Sequence, residues 1–221
     1  LKQILKDLCA QAPDKLDRGI FRLHVDRAFS VKGYGTVVTG TVNSGSLKVG
    51  ENIEISPNLL QARVRGLQSH GNDVDSIQIG DRAAINLQGI EIKQVLRGSQ
   101  IAEVGYLQSV NQVGVIIKLL SSSKKPIVQN QRVRIHLGTQ EVIARLAIVD
   151  KKILEPGDDC PALLRLESPM VLARGDRFII RSFSPVLTIG GGEVVEVSIV
   201  EKWKYIKDRL KLLYDSDHDN Q

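Results

Sequence analysis

The sequence is 221 residues long, room for one large or two ordinary domains, and its formal net charge of +5 permits a polyanionic partner without requiring one. Its two cysteines, Cys9 and Cys160, form no C-x-x-C pair, which excludes a disulfide framework and fits a reduced setting. No apolar run is long enough to span a bilayer and the first residues do not read as a signal peptide, so the expected location is the cytoplasm, with no membrane partner.

Leu1, Ile4, Leu5 and Leu8 recur at helical spacing, predicting a short helix from Leu1 to about Leu16 whose pattern is ended by Pro13. From Gly19 to about Val104 nearly everything reads as strand. Phe21, Leu23 and Val25 alternate with Arg22, His24 and Asp26, the period-two mark of a half-buried strand. Gly33-Tyr34-Gly35 turns the chain into the β-branched run Thr36–Val42, and further turns are expected at Asn43-Ser44-Gly45, Val49–Asn52 and His70–Asp73. Val64, Leu67, Ala83, Ile85 and Leu87 are candidate core.

A second all-β block starts near Gly105. Val113–Leu120 is a strongly apolar strand, and Arg132–Leu137 and Val142–Leu146 alternate cleanly. Ser121–Pro126 is a polar loop, Leu154–Asp158 a turn, and Cys160–Leu166 and Arg177–Phe183 are further strands. Val200–Tyr214 reads as a closing helix with Trp203, Ile206, Leu210 and Leu213 on one face, followed by a polar, frayed tail from Asp215 to Gln221. The predicted fold is mainly β: two consecutive small antiparallel β-barrels, at 19–104 and 105–198, with a helix at 1–18 and a helix and tail at 199–221.

The sequence lacks the marks of a self-contained enzyme. There is no phosphate loop of the Gly-x-x-x-x-Gly-Lys-Ser/Thr type, and Gly190-Gly191-Gly192 lacks the lysine that would follow. That triplet reads instead as a bulge or a close backbone approach. The four histidines have no metal-ligand spacing, and no Ser/His/Asp order or nucleophile elbow is present. No catalytic residue and no metal ligand is assigned.

The stretch FRLHVDRAFSVKGYGTVVTGTVNSG, from Phe21 to Gly45, resembles the second domain of translational GTPases, as do Ile79–Leu87 and Val95–Gly98. Val25–Gly33 is most similar to the selenocysteine-specific elongation factors, and Arg177–Arg181 with Thr188–Val195 resembles the end of their third domain. The resemblance covers about residues 19 to 198 and implies a part in carrying selenocysteinyl-tRNA to the ribosome. It assigns the aminoacyl pocket, which meets the selenol, to Asp26, Arg27 and Arg82. A selenol is largely ionised at neutral pH, so a guanidinium favours it over a neutral serine hydroxyl of similar shape. The resemblance sets the terminal adenosine against Val64, Leu67, Gln68 and Leu87, and the T-stem backbone against Arg181, Thr188, Gly190 and Gly191. It further implies that GTP and magnesium bind in an upstream GTPase domain outside these residues, of which Leu1–Leu16 would be the last helix, so that no cofactor is expected here. The family's mRNA-reading winged-helix part has no counterpart after Val200. Two alternatives stay open: another translational GTPase, such as an initiation factor gamma subunit or a general elongation factor, and a β-barrel module that binds protein only.

Overall fold

The structure is a computed structural model that describes residues 1–11, 17–96, 98–197 and 203–218. Helix α1 (Lys2–Gln11) buries none of its residues and leaves Ile4, Leu5 and Leu8 exposed. The expected extension to Leu16, with its stop at Pro13, lies outside the described residues.

The first barrel is built from β1 (Arg22–Val31), β2 (Gly35–Ser44), β3 (Ser46–Lys48), β4 (Asn52–Ser56), β5 (Leu60–Ser69), β6 (Asn72–Val74), β7 (Ser76–Gln78), β8 (Arg82–Gln88) and β9 (Gln100–Ala102). The order β4-β9-β1-β2-β8-β5 closes through antiparallel pairing of β4 with β5, while β3 and β7 form a separate two-stranded ribbon. Alternation is the driving pattern. Leu23, Val25, Val38, Val42, Val64, Ala83, Ile85 and Leu87 all point inward, so the candidate core positions, Leu67 included, are core. The predicted turn at Asn43-Ser44-Gly45 shrinks to one residue. Asn43 and Ser44 continue β2, and only Gly45 turns, at φ +65°, where a Cβ would meet the backbone of Ile20 and Phe21 at 2.5 Å. The turn at His70–Asp73 likewise contracts to His70-Gly71, because Asn72 and Asp73 pair with Ser69 and Gln68.

The second barrel comprises β10 (Gln108–Leu119), β11 (Ile127–Val128), β12 (Gln131–Leu137), β13 (Gln140–Ile148), β14 (Ile153–Leu154), β15 (Asp159–Leu172), β16 (Arg177–Ser182) and β17 (Thr188–Val197). Six of these close in the order β10-β15-β13-β12-β16-β17, with β11 and β14 as an outer ribbon. Helix α2 (Trp203–His218) lies outside the barrel. Ile206 and Leu210 are buried and Leu213 half-buried against Ala147, Val149, Leu163 and Val195, as the helical spacing predicts. The Trp203 side chain and residues 219–221 of the expected tail lie outside what is described. No helix among the described residues is long and apolar enough to cross a membrane.

A buried polar network joins the barrels. Arg22 Nη1 and Nη2 donate to Asp176 at 2.6 and 2.7 Å while its Nε donates to Gln100 Oε1 at 2.8 Å. Gln100 Nε2 in turn donates to the Val171 carbonyl at 2.8 Å, and Thr139 Oγ1 donates to the Val25 carbonyl at 2.7 Å. Beside this network His24 packs against Gly138, and burial, reinforced by the Arg22 charge, pushes its imidazole down to about 4.

Candidate functional site

The register of β1 on β2 slips between Val25 and Arg27: Val25 faces Gly40 and Arg27 faces Thr39, leaving Asp26 as the extra residue of a β-bulge. The bulge turns Asp26 sideways along the outer face. There its Oδ2 is ion-paired with Arg82 Nη1, and its Oδ1 accepts from Thr39 Oγ1 at 2.7 Å. Partial burial pushes the Asp26 carboxyl up, but the bonds from Thr39 and Arg82 and the nearby Arg27 charge outweigh it and hold it below the ordinary carboxylate value. The Arg82 side chain is 58 % exposed and Arg27 is exposed beside it. Two guanidinium groups thus frame one carboxylate at an open surface, and the three residues of the expected selenol pocket stand together.

Next to them runs a groove of about 840 Å³, lined by Phe29, Tyr34, Arg65, Leu67, Gln68 and Asn86, among others. The two features share a face. Gln68 faces Ala84 across β5 and β8, and Ala84 faces Thr39 across β8 and β2. Leu67 and Gln68 border the groove, with Gln68 Nε2 donating to Asp73 at 2.9 Å. Val64, Leu67 and Leu87 are core side chains, 1 %, 2 % and 2 % exposed, and offer a ligand almost no side-chain surface. Groove residues that the sequence reading passed over include Phe29 and Tyr34, whose large apolar side chains are exposed, and Asn86. The Asn86 Oδ1 is buried without a hydrogen-bond partner among the described residues. Period-two alternation carries the only signal for Asn86: a polar residue between Ile85 and Leu87.

On the second barrel, Arg181 faces Arg134 across β16 and β12 and Thr188 across β16 and β17. Its Nε is buried without a partner among the described residues. Gly190-Gly191-Gly192 is no turn: the triplet runs inside β17, paired on both sides with β10 and β16. A Cβ on Gly190 would collide with the Lys118 carbonyl, one on Gly192 with the Ile116 carbonyl, and one on Gly191 would meet the Phe178 carbonyl at 2.9 Å. Close approach of three strands is therefore sufficient reason for these glycines. Arg181 and Thr188 remain on the surface side.

No set of three His, Cys, Asp or Glu side chains among the described residues is placed to hold a metal ion. The sequence also has no phosphate loop.

The family model described as selenocysteine-specific elongation factor, beta-barrel domain, matches residues 115–200, and that described as elongation factor Tu domain 2 matches residues 35–102. A selenocysteine-specific elongation factor from Desulfomicrobium baculatum is 42 % identical over 184 residues, covering 83 % of this chain and 29 % of the relative. One from Methanocaldococcus jannaschii is 32 % identical, covering 98 % of this chain and 50 % of the relative. The chain thus spans between 29 % and 50 % of the length of these relatives. Among solved structures, bacterial selenocysteine-specific elongation factor EF-Sec aligns at TM-score 0.79 and 29 % identity, over 97 % of this chain and 34 % of that one. Apo elongation factor SelB from Methanococcus maripaludis aligns at TM-score 0.78 and 26 % identity, over 90 % and 48 %.

Proposed function

Because the chain belongs to the selenocysteine-specific elongation factor family, of which it carries two β-barrel domains, we propose that it receives the aminoacyl end of selenocysteinyl-tRNA on its first barrel and the T-stem on its second. The observation that carries this reading is the bulge that brings Asp26, Arg27 and Arg82 together beside the groove. A selenolate set near Arg27 and Arg82 gains charge-assisted contacts that a serine hydroxyl does not. Asp26, kept ionised, holds Arg82 in place and offers an acceptor to the amino group of the aminoacyl moiety. The groove beside the exposed Phe29 and Tyr34 suits a purine, with Gln68 and the Asn86 Oδ1, which has no partner among the described residues, as polar contacts. GTP hydrolysis belongs, in this reading, to a nucleotide domain outside these residues, and the fragment itself is not an enzyme. It works in translation in the cytoplasm, with the ribosome and that GTPase domain as further partners. The general elongation factor alternative is disfavoured, because residues 115–200 match the selenocysteine-specific model.

The test is an NMR titration of this chain with selenocysteinyl-adenosine and seryl-adenosine. Both ligands are expected to shift the Asn86 and Gln68 amides, and the selenocysteinyl one alone to shift Arg82 Nε–H strongly. Shifts confined to the second barrel would overturn the assignment.

A further inference from the structure

The strand that carries the bulge loses its outer neighbour just before the bulge. β1 pairs with β9 only over Arg22, Leu23 and His24, where His24 faces Gln100. The Val25 N–H still donates to the Ser99 carbonyl at 3.0 Å. Beyond that point the loop before β9 turns away, at Gly98, with φ +87°. The N–H and C=O of one strand residue point to the same side, so the Val25 carbonyl looks toward the edge that this loop has left. A backbone carbonyl away from water needs a donor, and its own barrel's ladder ends there.

The donor comes from the second barrel. β12 ends at Leu137 and β13 begins at Gln140, and these two face each other, so Gly138-Thr139 is a two-residue hairpin turn. Gly138 takes φ +56°, and the turn lies against β1: a Cβ on Gly138 would stand 2.5 Å from His24 Nδ1. On the other flank, a Cβ on Gly98 would collide with the Gln140 side chain. Two glycines thus let the turn sit close in the seam between the barrels. From there Thr139 Oγ1 donates to the Val25 carbonyl at 2.7 Å, doing what an N–H of a longer β9 would do. The Arg22–Asp176 pair, on the same strand, holds the seam closed beside it.

The Val25 carbonyl and the Asp26 N–H belong to one planar peptide, so a bond to that carbonyl fixes the plane from which Asp26 leaves. A bulge disrupts the ladder and leaves its extra residue unpaired, so the pairing of β1 with β2 does not by itself set this plane. We propose that Thr139 is a positioning residue of the first barrel's pocket: by holding the Val25–Asp26 peptide it aims the Asp26 carboxylate at Arg82, and a turn of the second barrel thereby sets how well a selenol is told from a hydroxyl. The role rests on the pocket reading above and extends it to a residue 114 positions from Val25 along the chain, on the other barrel. It also gives the seam a use beyond stability, because recognition on one barrel then depends on the seating of the other.

The experiment compares Thr139→Val, which keeps the shape and loses the hydroxyl, with Thr139→Ser, which keeps the hydroxyl. Thr139 is half-buried, and thermal unfolding confirms that each variant is folded. Without ligand, a carboxylate NMR titration follows Asp26. Thr139→Val is expected to move its pKa up, because the bonds from Thr39 and Arg82 that hold it down lose their alignment. Thr139→Ser is expected to leave it at the wild-type value. Binding of selenocysteinyl-adenosine and seryl-adenosine to the same proteins is then measured. Thr139→Val is expected to lower the preference for the selenocysteinyl ligand roughly threefold, the worth of one weakened hydrogen bond, and Thr139→Ser to keep it. The proposal is overturned if Thr139→Val leaves either the Asp26 titration or the preference as in wild type, or if Thr139→Ser behaves as Thr139→Val does. A wild type that prefers neither ligand overturns the pocket reading itself, and the proposal with it.

Discussion

Two arginine–aspartate pairs in this protein use the same chemistry for opposite ends. The Arg22–Asp176 side chains are 6 % and 12 % exposed, doubly bonded to each other, and tied through Gln100 to the backbone of the second barrel. The Arg82–Asp26 side chains are 58 % and 27 % exposed, joined through one guanidinium nitrogen, with Thr39 holding the carboxylate from the other side. In the first pair the carboxylate and Gln100 engage all three guanidinium nitrogens, and burial keeps the pair away from solvent. In the second, Arg82 keeps donors in solvent next to a groove. Burial with every guanidinium nitrogen engaged suits a joint, and exposure with donors facing solvent suits a site.

The comparison breaks if the buried pair turns out to be dispensable. Arg22→Ala or Asp176→Ala leaves an unpaired buried charge and is expected to cost about 3–5 kcal/mol in urea unfolding, with loss of the contact between the barrels. A cost under about 1 kcal/mol would show that the barrels are held by other contacts. The neighbouring His24 gives the next largest effect. Its imidazole is depressed from 6.5 to about 4 in the fold, so the unfolded chain takes up the proton first as pH falls. Stability is full above pH 6.5 and declines between 6.5 and 4, by about 3 kcal/mol in all. His24→Phe should flatten that slope, and an unchanged pH profile would contradict the buried, neutral state.

At the open pair the effects on stability are small. Thr39→Val removes one hydrogen bond and is expected to cost about 1 kcal/mol. It should also raise the Asp26 pKa in a carboxylate NMR titration, since the Thr39 bond helps to lower it. Arg82→Ala is expected to change stability by less than about 1 kcal/mol, as for other exposed ion pairs. A loss of 3 kcal/mol or more, of the order of a broken buried pair, would make Arg82 a structural residue and erase the distinction between the two pairs.

The barrels were legible in the sequence because alternation is local: Leu23, Val25, Val38, Ile85 and Leu87 announce their inward side without knowledge of their partners. The helical spacing of Ile206, Leu210 and Leu213 was equally readable. What alternation does not encode is register. The bulge at Asp26 depends on how β1 meets β2, so the pairing of Asp26 with Arg82, 56 residues away, entered by family resemblance rather than by pattern. Alternation also separates the expected adenosine contacts, because Val64 and Leu87 carry the inward phase and Gln68 the outward.

The central claim is that the exposed pair is where a selenol is told from a hydroxyl. It is tested most directly by equilibrium binding of selenocysteinyl-tRNA and seryl-tRNA to this chain fused to a relative's nucleotide domain, with and without Arg82→Ala. The account predicts that wild type prefers the selenocysteinyl form by at least about tenfold, the worth of one charge-assisted contact, and that Arg82→Ala brings the two affinities together. A preference that survives Arg82→Ala intact would contradict it.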